Sequence, residues 1–136
     1  MFGADLAQEG RGCLEPVSQG EKEVISQRDV VLLSFPFSNL QTSKVRPAIV
    51  LSNNGYNRRS EDFIAVPLTS NLKLRDYAIS VTNRELERGK LIVDSKAKVD
   101  RVFSVSQRLV RMKIGRVKTE VHERITEILS NLIGLQ

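Results

Sequence analysis

Two polar side chains stand where short apolar runs meet loops. Arg46 opens Lys44-Val45-Arg46-Pro47-Ala48-Ile49-Val50-Leu51-Ser52, and Thr69 closes Ile64-Ala65-Val66-Pro67-Leu68-Thr69 before Ser70 and Asn71. The ring of Pro47 disfavours the helical region for Arg46, so its guanidinium is carried on extended backbone. Pro47 has no N–H to give to a sheet, which suits the first residue of a strand or an edge position. An ordinary strand with an exposed arginine at its mouth fits these residues as well as a reactive site does. The chemistry open to the chain is narrow, however. It has no P-loop, no glycine-rich dinucleotide turn and no nucleophile elbow. Cys13 and His122 are the only residues of their types, so an intramolecular disulfide, a thiolate metal cluster and a histidine zinc site are all excluded. An enzyme built from this chain must work with arginine, lysine, hydroxyls and carboxylates, and chemistry that needs no metal or cofactor is expected. Cleavage of RNA by its own 2′-hydroxyl suits that inventory, because the substrate brings the nucleophile and the protein supplies alignment and charge.

The charge distribution agrees with an anionic partner. Residues 1–27 carry two basic residues (Arg11, Lys22) against five acidic ones (Asp5, Glu9, Glu15, Glu21, Glu23), a net charge of −3, while the chain as a whole carries +5. Residues 28–136 are therefore +8, and basic domains gain by releasing counterions from phosphates. By composition, 40% hydrophobic and 27% charged, this is an ordinary globular chain. Its 136 residues suit one domain. No apolar run approaches the roughly 18 residues of a membrane span, and no signal pattern opens the chain, so a cytoplasmic location is expected.

The elements that must position Arg46 and Thr69 follow in order. Residues 1–27, punctuated by Gly3, Gly10, Gly12, Pro16 and Gly20, read as a mobile acidic extension that could mask the basic body. The functional domain is expected over 28–136. Residues 28–35 predict a first strand, Pro36 to Ser43 a loop, Pro47 to Ser52 a second strand and Asp62 to Leu68 a third. Between the last two, Asn53-Asn54-Gly55 signals a turn. Tyr56, Arg58 and Arg59 beside it fit a nucleic-acid contact and a solvated hairpin tip equally well. Tyr77 to Thr82, Leu91 to Val93 and Ala97 to Val105 are further strand candidates. Residues 83–89 read as a charged turn closed by Gly89, and Arg116 to Lys118 as a small edge strand. The clearest helix opens at Thr119 as N-cap, with Glu120 and Glu123 early in it. Val121, Ile125, Ile128, Leu129, Leu132 and Ile133 form its apolar face, and Gly134 ends it. His122 lies off that face and reads as structural. The expected fold is mostly β, a small, strongly bent barrel with the helix against it.

Five stretches, in this order, are similar to the MazF/PemK family of bacterial toxins: Arg28 to Leu32, Val45 to Ser52, Ile64 to Ser70, Val99 to Val105 and Ile114 to Val117. The resemblance covers roughly residues 28–135. It departs at Arg28, where the family usually has glycine, and at Arg101-Val102-Phe103, which is closer to the PemK-like branch. It implies a CcdB/MazF-type SH3-like barrel with a C-terminal helix, a homodimer, and a metal-independent, sequence-selective endoribonuclease that leaves 2′,3′-cyclic phosphate and 5′-hydroxyl ends. It also implies a cognate antitoxin and a toxin–antitoxin complex able to bind operator DNA. The family's catalytic arginine and threonine fall on Arg46 and Thr69. Lys44, Asn53, Tyr56, Arg58, Arg59, Lys73 and Arg75 are candidate RNA contacts by charge and loop position. A non-catalytic DNA gyrase poison of the CcdB type and a plain basic RNA-binding barrel are the alternatives.

Overall fold

The computed structural model describes residues 24–36 and 43–136. In chain order these form β1 (Asp29–Pro36), β2 (Ser43–Val50), α1 (Asn54–Arg59), β3 (Asp62–Thr69), β4 (Ala78–Val81), β5 (Leu86–Gly89), β6 (Ser95–Lys98), β7 (Phe103–Ser106), β8 (Val110–Val117) and α2 (Thr119–Ile133). Every strand pairing is antiparallel. The spatial order is β4-β6-β3-β2-β1-β8-β5, with β7 beside the first half of β3.

β4 and β5 stand at the two ends of that order, yet only Thr82 to Glu85 joins them. Four residues reach at most ~14 Å, so the two edges are held close and the sheet curls into a half-barrel. Register shifts in β1 between Val30 and Val31, and between Leu32 and Leu33, help it bend against β8. The hollow is filled by Val30, Ile49, Val66, Leu68, Val81, Leu86, Ala97 and Val117 from seven strands, and Val121 and Ile125 of α2 close it. A second cluster, including Val31, Leu33, Ala48, Val50, Phe63, Ala65 and Val105, covers the outer face of β1, β2, β3 and β7. Phe35 and Phe103 pack on this cluster with their rings 6.4 Å apart. Two apolar faces explain why β1 reads as an unbroken hydrophobic run. The fold is mostly β with a C-terminal helix, as the sequence predicts.

Several elements differ from expectation. Asn54–Arg59 is a short helix, because the Asn53 side chain accepts the Tyr56 N–H at 2.8 Å and caps it. Buried Asn57 then ties that helix down through Ser52 and the Gln107 amide. Leu91 to Val93 is not a strand, and Ile92 is almost fully exposed. The stretch from Ala97 to Val105 is broken by a helical turn at Val99–Arg101 into β6 and β7. Arg116 and Val117 are the end of β8, an eight-residue strand between β1 and β5 and not an edge. Lys118 is the N-cap of α2, with no side-chain bond, and Thr119 is its first helical residue. The apolar face of α2 packs through Ile128 and Leu129, whereas Ile133 is exposed. Residues 1–23, and with them Cys13 and nearly all of the acidic extension, lie outside the described residues. Of that extension, Ile25 is buried in the second cluster, and the Gln27 side chain donates to the Leu51 carbonyl at 2.7 Å.

Two details hold the opening and the closure. Arg28 has φ +80°, the left-handed region where glycine is at ease and other residues are strained. Its backbone bonds Val50 and Val117, and its guanidinium donates to the Val117 carbonyl at 2.8 Å and Glu87 at 2.9 Å. At the closure, the Glu85 carboxylate accepts from the Thr82 amide and hydroxyl, both at 2.7 Å, a capping box. Burial opposes ionisation of Glu85, but the Thr82 bonds and the charges of Arg84 and Lys118 outweigh it and hold the carboxyl below its ordinary value. The stability it contributes is complete above the unfolded pKa of about 4.5 and is lost as pH falls through the lower folded value. Urea midpoints of the native chain and Glu85→Gln should therefore differ at neutral pH and converge as pH falls through that lowered folded value. A gap independent of pH would show that the carboxylate charge is not what the box uses.

Candidate active site

β2 and β3 pair as Ala48 with Pro67, Ile49 with Val66 and Val50 with Ala65. Ala48–Pro67 is the last of these pairs; Arg46 lies two residues beyond it on β2, and Thr69 two residues beyond it on β3. Side chains alternate along a strand, so both share the outer face with Ala48. The row extends in both directions, for Leu33 is paired with Arg46, Thr69 with Lys96, and Lys96 with Ser80. Paired strands lie about 4.8 Å apart, so the hydroxyl of Thr69 and the ammonium of Lys96 rise side by side from β3 and β6, and the guanidinium of Arg46 stands on the same face at the adjoining end of β2.

The loop after β3 is organised by this hydroxyl. Thr69 Oγ1 accepts the Asn71 N–H at 3.1 Å, and Asn71 Oδ1 accepts the Lys73 N–H at 3.1 Å. One lone pair of Thr69 is thereby engaged and its proton remains available to donate. Lys96 Nζ donates to the Leu74 carbonyl at 2.5 Å. An open cleft of about 700 Å³ lies between this loop and β6, lined by Leu72, Lys73, Arg75 and Lys96. Arg46, Lys73 and Arg75 are exposed, while Thr69 and Lys96 are half-buried. Among the described residues, the ion pairs are Arg28–Glu87, Lys113–Asp29 and Arg116–Asp29. None neutralises this end of the barrel, so the surface there is a positive tract beside a hydroxyl donor, suited to a phosphodiester.

The structure thus brings Arg46, Thr69, Lys73 and Arg75 to one end. Lys44 stands two residues before Arg46 on β2, paired with Phe35. Asn53, Tyr56, Arg58 and Arg59 belong to the other end, since Val50 lies four positions along β2 from Arg46 and α1 follows beyond. That is at least ~13 Å along the strand. Asn53 has a structural duty as the cap of α1, while Tyr56, Arg58 and Arg59 are exposed. His122 lies near the same far end, its ring nitrogen 3.3 Å from the Leu51 carbonyl. Lys96 is the site residue that the sequence reading missed. The signal was the alternation Ser95-Lys96-Ala97-Lys98, whose small residues are buried.

Comparison with known proteins agrees with this architecture. The structure of MazE–MazF (Form II) from Deinococcus radiodurans superposes with a TM-score of 0.72 at 21% identity, over 85% of this chain and 100% of that one. An endoribonuclease in complex with its cognate antitoxin, from a mycobacterial species, gives 0.65 at 16% identity, over 85% and 98% of the two chains. The Mycobacterium tuberculosis toxin MazF-mt6 gives 0.64 at 15% identity, over 80% and 99%. These likenesses show a shared fold. No curated protein matches the chain. The family model of the PemK-like, MazF-like toxins of type II toxin–antitoxin systems matches residues 26–133, a span that holds every strand, Arg46, Thr69 and the whole of α2; the chain belongs to that family.

Proposed function

We propose that the chain is a metal-independent, sequence-selective endoribonuclease toxin that cleaves single-stranded RNA, with Arg46 and Thr69 as its catalytic residues. The observation that carries this reading is that the two side chains share one face and one end of the paired strands β2 and β3, beside a cationic cleft. The substrate's 2′-hydroxyl attacks the adjacent phosphorus and loses its proton, and the 5′-oxygen leaves and takes one up. The products are a 2′,3′-cyclic phosphate and a 5′-hydroxyl. A guanidinium stays protonated at neutral pH and is a poor base. Arg46 therefore acts by stabilising the extra charge of the phosphorane, and Thr69 by donating to one of its non-bridging oxygens. Lys44, Lys73 and Arg75 hold flanking phosphates, and Tyr56, Arg58 and Arg59, with Asn53, form a separate tract at the far end. The solved relatives that carry an antitoxin support neutralisation of this chain by a cognate antitoxin; binding of operator DNA by the resulting complex is part of the same proposal. A homodimer in the cytoplasm completes the reading.

The test is incubation of the purified protein with a long single-stranded RNA in EDTA, followed by mapping of the 5′ ends. Discrete cuts with unphosphorylated 5′ ends are expected. RNA left intact at every enzyme concentration would overturn the reading and direct attention to gyrase poisoning or to binding without scission.

A further inference from the structure

Lys96 combines three features. It is the direct β-sheet partner of Thr69, so its side chain rises from the same face. Its ammonium is held in place under the loop after β3 by the Leu74 carbonyl. It also lines the cleft that Lys73 and Arg75 flank. An ammonium has three donors, and among the described residues only the Leu74 carbonyl takes one of them. A half-buried lysine in such a setting loses side-chain freedom before any ligand arrives, which favours binding of a fixed anion.

We infer that this cleft is a second phosphate subsite, with Lys96 at its base, which takes the RNA phosphate next to the one held by Arg46 and Thr69. The inference rests on the ribonuclease reading for its ligand and goes beyond it in assigning the direction of the strand. RNA crosses the sheet along the row from β2 through β3 to β6, at right angles to the strands. Arg46 and Lys96 flank Thr69, so the backbone is gripped on both sides of the reacting bond. Lys73 and Arg75 close over the outer phosphate from the loop. Of the two flanking cations, Lys96 is the one fixed by the fold.

The experiment has two arms, using the native chain, Lys96→Met, which keeps the stem but not the charge, and Lys96→Arg. In the first, binding of a 2′-O-methyl oligouridylate, which cannot be cleaved, is measured against potassium chloride concentration. Loss of one phosphate contact should flatten the slope of log Kd on log salt by about 0.7 for a single strand and weaken binding about tenfold, with Lys96→Arg close to native. In the second arm, oligonucleotides spanning the mapped cut each carry one uncharged methylphosphonate linkage. One linkage beside the cut should raise KM for the native chain about tenfold and leave the KM of Lys96→Met unchanged, the coupling expected of direct partners. If every linkage costs Lys96→Met what it costs the native chain, and the salt slopes coincide, Lys96 is only a brace for the loop and the subsite is overturned. The binding arm needs no cleavage. A native chain that cuts no RNA yet shows the slope change would remove the ribonuclease reading and leave the subsite standing.

Discussion

Arg46→Ala is expected to lower kcat on a cleavable RNA about 10²- to 10³-fold, the usual loss when one donor to a developing oxyanion is removed. The reason lies in where the charge appears. The phosphorane carries more negative charge than the bound diester, so a guanidinium at its oxygens helps the transition state more than the ground state. KM should therefore move far less than kcat. Arg46 is the fourth residue of β2 and its side chain is exposed, so the variant should unfold at the native urea midpoint and the loss can be assigned to chemistry. Thr69→Val, which keeps the shape and removes the hydroxyl, should lose a comparable factor. It also releases the Asn71 amide, so Thr69→Ser is the paired control and should recover most of the rate. A variant Arg46→Ala that cuts at the native rate would remove the arginine from the mechanism.

Asp29→Ala should cost about 3 kcal/mol of unfolding free energy, at the lower end of what breaking a buried charge pair costs. Asp29 is 1% exposed. Its carboxylate accepts the Ser26 N–H at 2.8 Å and the Arg116 Nε–H at 3.0 Å, and lies 3.7 Å from Lys113 Nζ. Removing it leaves two cations and an amide without their acceptor, and Arg116 and Lys113 retain enough exposure to recover part of their hydration. The same carboxylate holds the turn at Arg28, whose left-handed backbone needs support from both sides. Urea unfolding of native chain and variant checks the value. A shift below about 1 kcal/mol would mean that the ladder between β1 and β8 holds the turn without help.

The β1 and β3 strands, the second half of β2 and the closing helix were legible because each rests on a local signal, although β2 begins at Ser43, four residues before Pro47, and ends at Val50. Pro47 sets the backbone of Arg46, β-branched runs mark the strands, and the spacing of Val121, Ile125, Ile128 and Leu129 marks the helix face. What escaped depends on contacts remote in sequence. Asn53-Asn54-Gly55 carries the letters of a hairpin turn, but capping by Asn53 and burial of Asn57 against Gln107, 50 residues away, make it helical. β8 looked short because Arg111, Met112 and Lys113 are polar or exposed, whereas its place between β1 and β5 is decided by pairing. Lys96 was invisible as a site residue until the register of β3 and β6 set it beside Thr69. Conversely, Leu91-Ile92-Val93 has a strand's composition but no partner strand among the described residues, and composition alone does not make a ladder.

The pairing of β1 with β8 also bears on how the chain is born. Asp29 and Arg116 meet across 87 residues, so one edge of β1 stays unpaired until nearly the whole chain has been synthesised. At cellular elongation rates that interval is roughly 4–17 s. For its duration an apolar strand, Val30-Val31-Leu32-Leu33, is open to mispairing with other chains. Folding dominated by such distant contacts is slow, so the nascent chain depends on late closure by β8 and on whatever shields β1 before it.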